Sequence, residues 1–175
     1  MHTKDPVIFV MIGLPGAGKS TAMEMLTSNT FVGTDWYIEK AAKEQGKSYN
    51  DVFKDEIKNA HKEMYKDVKF LIDLEKSFIW DQTNLTTFKR KKILSMIPDG
   101  YKKVAIYINT PVDVAIDRNL NRERNVPTNI IQQMYESMIA PSIHEGFDYI
   151  LEFDQDGQLR ATTEMKDGEV SHIQL

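Results

Sequence analysis

One glycine-rich segment constrains this chain more than any other, because it specifies both a local structure and a ligand chemistry. Residues 13–21 read GLPGAGKST and match the pattern GxxxxGK[S/T]. The apolar run VIFVMI at 7–12 precedes them, as expected of a strand buried on both faces of a parallel sheet. A helix is expected from about Lys19 to Leu26. A glycine loop between a buried strand and a helix predicts a phosphate-binding loop.

The residues of this loop suit a nucleoside triphosphate with Mg²⁺. Glycines let successive backbone N–H groups turn toward a phosphate chain, and the following helix adds the positive end of its dipole. Lys19 is expected to contact the β- and γ-phosphates, and Ser20 is expected to hold Mg²⁺. The predicted binding residues for ATP or GTP are Gly13, Gly16, Ala17, Gly18, Lys19, Ser20 and Thr21.

The rest of the chain alternates apolar runs with helical patterns. Runs at 78–80, 104–108 and 149–153 predict further strands. The longest helix is expected to begin at Ser48 with Asp51 completing a capping box, and another begins at Thr110 and Pro111 with Thr110 as its cap. This alternation predicts an α/β fold, a P-loop kinase-like parallel sheet flanked by helices, in a single domain over residues 1–175.

Composition excludes several classes of protein. A chain of 175 residues with 41% hydrophobic content and no cysteine is neither a disulfide scaffold nor a disordered tail, and a cytoplasmic location is expected. No apolar run is long enough to cross a bilayer, so no membrane partner is expected. A net charge of −4 argues against a protein that coats nucleic acid by bulk charge. The DG dipeptides at 156–157 and 167–168 predict a C-terminal β-hairpin at the sheet edge.

A first candidate catalytic residue lies just after the short apolar pair at 31–32. Asp35 would stand near the C-terminal end of a strand, where open α/β sheets bind ligands. It is placed either to accept the proton of an acceptor hydroxyl or to cap the helix that follows. Trp36 and Tyr37 stand beside it and are predicted to line the acceptor groove.

A second acidic residue directly follows the apolar run at 78–80. Asp81 is expected to order the water shell of Mg²⁺, as a Walker B acid does. Thr83 and Asn84 follow closely and are predicted to contact the substrate. The alternative is a turn that begins at Asp81, with Thr83 or Asn84 capping the next helix.

A third candidate group is a pair of arginines at the end of the helix after Pro111. Arg118 and Arg122 are four residues apart, so they are expected to share one helix face and to form an arginine-bearing lid over the nucleotide. There they would neutralise charge on the transferring phosphoryl group. The alternative is a favourable placement of cations near a helix C-terminus.

A run of four basic residues, KRKK at 89–92, has two interpretations. It either binds nucleic-acid phosphates or forms a solvated helix face. Sequence alone does not separate them.

Together these segments resemble the 5′-hydroxyl polynucleotide kinase family, particularly the kinase half of the phage polynucleotide kinase/phosphatase. The resemblance runs from Val7 to about Met138. DQTNL at 81–85 is similar to the D-x-T-N motif of that family, and the segment from Arg118 through Val126-Pro127 to Met134-Tyr135 is similar to its lid and following helix.

The resemblance implies a Mg²⁺-dependent kinase that transfers the γ-phosphate of a nucleoside triphosphate to a 5′-hydroxyl end of DNA or RNA. Asp35 would be the base, and Arg118 and Arg122 would be the lid arginines. The family arginine that contacts the acceptor phosphate is replaced by Ile38, and Lys40 or Lys43 would have to substitute for it. A hydroxymethylated pyrimidine in DNA, a nucleoside or a sugar are therefore alternative acceptors. A binding module that uses the nucleotide as a switch is a further alternative.

Overall fold

Seven strands form one sheet in the order β2-β3-β1-β4-β5-β6-β7. The computed structural model describes residues 5–26 and 30–175. The strands are β1 (Val7–Ile12), β2 (Phe31–Val32), β3 (Phe78–Trp80), β4 (Lys102–Asn109), β5 (Tyr149–Asp154), β6 (Leu159–Lys166) and β7 (Glu169–Gln174). The first five are parallel, whereas β5, β6 and β7 pair antiparallel. The predicted parallel α/β sheet and its C-terminal hairpin are confirmed.

Six α-helices connect or follow the strands in the described part of the chain. They are α1 (Lys19–Met23), α2 (Thr34–Gln45), α3 (Tyr49–Asp73), α4 (Thr87–Leu94), α5 (Val112–Leu120) and α6 (Thr128–Ser137). The capping box of Ser48 and Asp51 is present at the start of α3. No helix among the described residues has the length and apolar character needed to span a bilayer.

Two local predictions about helix ends are wrong. The phosphate-loop helix α1 ends at Met23 rather than near Leu26. Thr110 does not cap α5, because it is buried and its hydroxyl donates to the Ala17 carbonyl across 2.8 Å. Pro111 is the residue that precedes the helix. Thr110 therefore supports the phosphate loop instead of the helix end.

The core lies on both faces of the sheet. Alternate residues of β1 point to opposite sides, with Ile8 and Val10 in one cluster and Phe9 and Met11 in the other. Helices α3 and α4 cover the first face, and α1, α5 and α6 cover the second. Trp80, only 1% exposed, fills the first face. The C-terminal ends of the parallel strands therefore open together at one edge, where ligands bind in such sheets.

Candidate active site

The phosphate loop is held against the rest of the molecule by backbone contacts. The Gly13 amide donates to the Thr83 carbonyl across 3.1 Å, so the loop is joined to the segment after β3. Gly16 has φ +81°, and a Cβ there would lie 2.2 Å from the Ala115 carbonyl oxygen of α5. Only glycine allows this approach. The loop and α5 are thus packed backbone against backbone.

Lys19 is the first residue of α1, and its side chain extends back to the start of the loop. Its ammonium donates to the carbonyls of Gly13 (3.0 Å) and Leu14 (2.9 Å). Burial lowers the Lys19 pKa to about 8, although the nearby Asp81 carboxylate opposes this shift. Burial raises the Asp81 pKa, and the Lys19 charge opposes that change. A partly buried cation and a partly buried carboxylate therefore share this site, each partly stabilising the other.

The oxygen donors of the site fit Mg²⁺. The hydroxyl of Ser20 and the carboxylate of Asp81 line the same cavity. No cluster of three or more metal-ligating acids, histidines or cysteines occurs in residues 5–26 and 30–175. Mg²⁺ in phosphoryl-transfer sites takes only one or two side-chain ligands and completes its shell with phosphates and water. Two hard oxygen donors beside a phosphate loop match that pattern.

One cavity of about 970 Å³ brings most of the predicted residues together. It is lined by the phosphate loop, the first turns of α2 and α3, the segment 81–83 and the segment from α5 to α6. The predicted residues in its wall are Gly16, Gly18, Lys19, Ser20, Asp35, Asp81, Thr83, Arg118 and Arg122. A volume of this size exceeds what a phosphate chain alone would fill, so it has room for an acceptor.

Three predicted nucleotide-binding residues lie in or beside the phosphate loop but outside the cavity wall. Gly13 and Ala17 are buried in the loop, and the Ala17 amide donates to the Leu14 carbonyl across 3.1 Å. Thr21 is exposed on α1. Among the described residues, none of these three lines the cavity.

Asn84 is a structural residue, and its prediction as a substrate contact is wrong. Its side chain is 2% exposed, and its amide nitrogen donates to the Met11 carbonyl across 2.8 Å. Its backbone has φ +48°, the left-handed region that asparagine tolerates better than most residues. Neither Thr83 nor Asn84 caps α4, because Thr86 does. Asn84 therefore holds the turn that places Asp81 and Thr83 at the cavity.

Among the described residues, neither Trp36 nor Tyr37 lines the cavity, which contradicts their predicted place in the acceptor groove. Trp36 is 51% exposed, and the Lys40 ammonium lies 5.5 Å from its ring centroid. The Tyr37 hydroxyl donates to the Asp67 carboxylate on α3. On a helix, residues one or two positions after an inward-facing side chain point elsewhere.

Asp35 lies in the first turn of α2, and its alternative role as the helix cap is wrong because Gly33 is the capping residue. A Cβ on Gly33 would lie 2.6 Å from the Asp81 carbonyl oxygen, so the chain enters α2 directly against the end of β3. Asp35 Oδ1 accepts from the Tyr49 hydroxyl across 2.7 Å. Its Oδ2 lies 3.0 Å from Arg124 Nη2. Both carboxylate oxygens are therefore oriented.

The arginine segment differs from its prediction. Helix α5 ends at Leu120, so Arg122 lies beyond it and does not share a helix face with Arg118. Arg118 donates to the Gln155 carbonyl across 2.8 Å, while Arg122 is close enough to Lys19 to help depress its pKa. Buried Asn119 closes the segment, because its side chain donates to the Val126 carbonyl (2.8 Å) and accepts from the Val126 amide (2.9 Å).

Sequence reasoning missed Arg124 and Tyr49. Arg124 pairs with Asp35 and with Glu39, and its guanidinium carbon lies 4.9 Å from the Tyr49 ring centroid. Arg124 lies in a loop, where periodicity gives no direction for a side chain. The capping box at Ser48 was a usable signal for Tyr49, because it makes Tyr49 the first residue of α3.

The profile of an AAA domain family matches residues 8–141, from β1 to just beyond α6. The chain belongs to this AAA domain family. Its mostly parallel sheet flanked by helices is a fold that it shares with a putative kinase from Chloroflexus aurantiacus, with a TM-score of 0.65, 18% identity, and coverage of 87% of this chain and 86% of that one.

Several known proteins are similar to this AAA domain protein over most of its length. The L-seryl-tRNA(Sec) kinase of Methanococcus maripaludis is 26% identical over 151 residues, which cover 81% of this chain and 56% of that protein. The AvrRxo1-ORF1:-ORF2 complex with ATP contains a chain of similar fold, with a TM-score of 0.73, 14% identity, and coverage of 95% of this chain and 60% of that one. A chain of the Pnkp1/Rnl/Hen1 RNA repair complex has a TM-score of 0.58, 18% identity, and coverage of 78% and 45%. The AAA domain protein thus spans little more than half the length of the curated relative.

The basic run and the residue at position 38 also have definite places in this AAA domain protein. Arg90 is fully buried and pairs with Glu145 at 2.7 Å, so the run 89–92 is not one continuous surface for nucleic acid. Ile38 is fully buried in a cluster between α2 and α3. Among the described residues, neither Lys40 nor Lys43 lines the cavity.

Proposed function

We propose that this protein is a Mg²⁺-dependent kinase that transfers the γ-phosphoryl group of ATP or GTP to the 5′-hydroxyl end of DNA or RNA. The observation that carries the proposal is the position of Asp35. Its carboxylate lies in the wall of the cavity that also contains Lys19 and Asp81, and Tyr49 orients one of its oxygens. A binding switch needs a phosphate loop but has no use for an oriented carboxylate opposite it.

Each residue then has a role in the transfer. Asp35 accepts the proton of the acceptor hydroxyl, whose oxygen forms a new bond to the γ-phosphorus as the bond to the bridging oxygen breaks and the nucleoside diphosphate leaves. Lys19, Arg118 and Arg122 stabilise the negative charge on the transferring group. Ser20 and Asp81 would hold Mg²⁺, which would supply positive charge to neutralise the phosphates.

Two of the similar proteins support an acceptor that is a nucleic acid, whereas a gluconokinase and a sugar kinase of similar fold support a small molecule. One is named as a kinase of seryl-tRNA, and another chain of the same fold belongs to an RNA repair complex. The D-x-T-N turn at 81–84, held in place by Asn84, adds to the resemblance to polynucleotide kinases. These observations favour a hydroxyl that is carried on a polynucleotide.

A second candidate acceptor rests on Ile38. This residue is fully buried where the polynucleotide kinase family has an arginine for the acceptor phosphate. An acceptor without a phosphate at that point would not need the arginine. The alternatives are a hydroxymethylated pyrimidine within DNA and a small molecule such as a nucleoside or a sugar.

Transfer of labelled γ-phosphate tests the proposal. The acceptors are 5′-hydroxyl DNA and RNA oligonucleotides, 5′-phosphorylated DNA with hydroxymethyluracil, free nucleosides and a sugar panel, each with Mg²⁺. We expect label on the 5′-hydroxyl ends, lost in Lys19→Ala and Asp35→Asn and retained in Asp55→Asn, which removes an exposed acid of α3. Label on another acceptor alone would overturn the acceptor, and nucleotide binding without any product would favour the switch.

A further inference from the structure

The wall of the cavity opposite the phosphate loop is formed by the start of α3. The residues of this helix that line it are Tyr49, Asn50, Phe53 and Lys54. None of them was expected from the sequence to take part in the site. Their position follows from the capping box at Ser48, which begins the helix beside Asp35.

Two aromatic residues of this helix form a row of contacts that begins at Asp35, the candidate base. The Tyr49 hydroxyl contacts Asp35 at 2.7 Å, and the Tyr49 ring lies 5.7 Å from the ring of Phe53. Phe53 is therefore one aromatic ring further from Asp35 along the same wall. It is 39% exposed, although its neighbour Val52 is buried in the core. An exposed aromatic ring in a cavity wall is suited to stacking against a base.

Lys54 adds a cation that is free to bind a ligand. Three other cationic residues of the cavity are engaged with protein oxygens, because Lys19 and Arg118 donate to carbonyls and Arg124 pairs with carboxylates. Lys54 is exposed, and within residues 5–26 and 30–175 it has no hydrogen bond or ion pair. An ammonium group in this position supplies a point charge for a phosphate.

We propose that Phe53 and Lys54 form the acceptor subsite, an inference that rests on the proposed function. The Phe53 ring packs against the base of the terminal nucleotide, and Lys54 pairs with the phosphate on the 3′ side of its sugar. Helix α3 thereby supplies the charge that α2 lacks at Ile38, and Asp35 faces the 5′-hydroxyl between them. The acceptor class is a nucleotide with a 3′-phosphate or a longer chain.

The test compares thymidine 3′-monophosphate with thymidine as acceptors. For Lys54→Met we expect the KM of the 3′-phosphate to rise roughly tenfold to a hundredfold, the loss of one charge-assisted contact. The KM values of thymidine and of ATP stay unchanged, and Lys54→Arg restores most of the discrimination. Phe53→Leu raises KM for both acceptors. The matched control is Lys62→Met, an exposed lysine of α3 that lies outside the cavity wall.

Calorimetric binding of thymidine 3′-monophosphate, in the presence of a non-hydrolysable ATP analogue, separates this inference from the proposed function. If the protein binds the nucleotide without transferring phosphate, weaker binding by Lys54→Met still supports the subsite. The subsite is overturned if Lys54→Met and the unmodified protein prefer thymidine 3′-monophosphate over thymidine to the same extent, by KM or by binding. Transfer to thymidine alone, without preference for the 3′-phosphate, leaves a kinase and also overturns the subsite. If the protein neither binds nor phosphorylates either acceptor, the subsite fails, while transfer to 5′-hydroxyl oligonucleotides decides the proposed function separately.

Discussion

Tyr49 donates its hydroxyl hydrogen to Asp35 across 2.7 Å and thereby joins the first residue of α3 to the first turn of α2. Burial, together with this bond, raises the Tyr49 pKa, so the phenol stays protonated and acts as a donor throughout the neutral range. The candidate base is thus oriented by a second helix, and its position depends on the packing of α2 against α3.

Substituting Tyr49 by phenylalanine keeps the ring and removes only this donor. We expect Tyr49→Phe to lower kcat roughly tenfold while the KM for ATP stays unchanged, because hydrogen bonds to charged groups contribute about 1.5–3 kcal/mol. Steady-state kinetics measure the effect, with circular dichroism to show that the fold is intact. Tyr65→Phe on the same helix, outside the cavity, is the control. An unchanged kcat would show that Asp35 does not need this orientation.

Arg124 connects the segment after α5 to α2 through Asp35 and Glu39. In Arg124→Gln this connection is lost, and we expect faster protease cleavage between residues 120 and 126 in the nucleotide-free protein. The free energy of unfolding should fall by less than about 1 kcal/mol, since a partly exposed ion pair contributes little. Arg160→Gln, which removes an exposed ion pair with Asp154, should leave the cleavage rate unchanged. Equal cleavage of the unmodified protein and Arg124→Gln would contradict the expected role.

Lys19 should make the stability of the nucleotide-free protein depend on pH. Its pKa of about 8 in the folded chain lies below the 10.5 of an ordinary lysine. Between these values the unfolded chain binds more protons, so the contribution of Lys19 to the free energy of unfolding rises with pH and its full cost is present below pH 8. Relative to Lys19→Met, we expect a gain of roughly 2–3 kcal/mol between pH 7 and pH 10. Parallel curves from urea titrations of the two proteins would contradict this.

Removal of one partner from the buried pair of Arg90 and Glu145 should strongly destabilise the fold. Arg90 also donates to the carbonyls of Asn84 (3.1 Å) and Ile139 (2.9 Å), so it joins α4 to the turn behind Asp81. Glu145→Ala leaves this guanidinium buried without its partner, and we expect a loss of about 3–5 kcal/mol in unfolding free energy. Lys91→Ala, an exposed neighbour, should change it by less than about 0.5 kcal/mol. Comparable losses in both variants, measured by chemical denaturation, would contradict the assignment.

The fold could be predicted largely from the sequence because its signals are local. The apolar run of β1, the glycine loop and the capping box of α3 each depend on residues within a few positions of one another. The run at 78–80 and the glycine turns of the hairpin are of the same kind. Thr110 shows where this fails, since its hydroxyl bonds to Ala17, which is distant in sequence.

The candidate site was only partly predictable, for the same reason. Residues 13–20 and Asp81 belong to motifs whose spacing specifies their placement. The directions of Trp36 and Tyr37 depend on where α2 begins, and that of Arg122 depends on where α5 ends. A shift of one or two residues at these ends changes which side chains reach the cavity. Phe53 and Lys54 reach the cavity only through the packing of α3 on α2, which no pattern in the sequence encodes.

The two hydrogen bonds between Asn119 and Val126 restrict the segment that carries Arg122 and Arg124. They hold together the two ends of a six-residue loop, 120–125. Helix α5, which precedes this loop, is itself packed against the phosphate loop where Gly16 meets Ala115. Arg122 and Arg124 therefore lie on a short loop that is fixed at both ends. Release of the ion pairs of Arg124 with Asp35 and Glu39 is therefore the local change that separates this loop from α2.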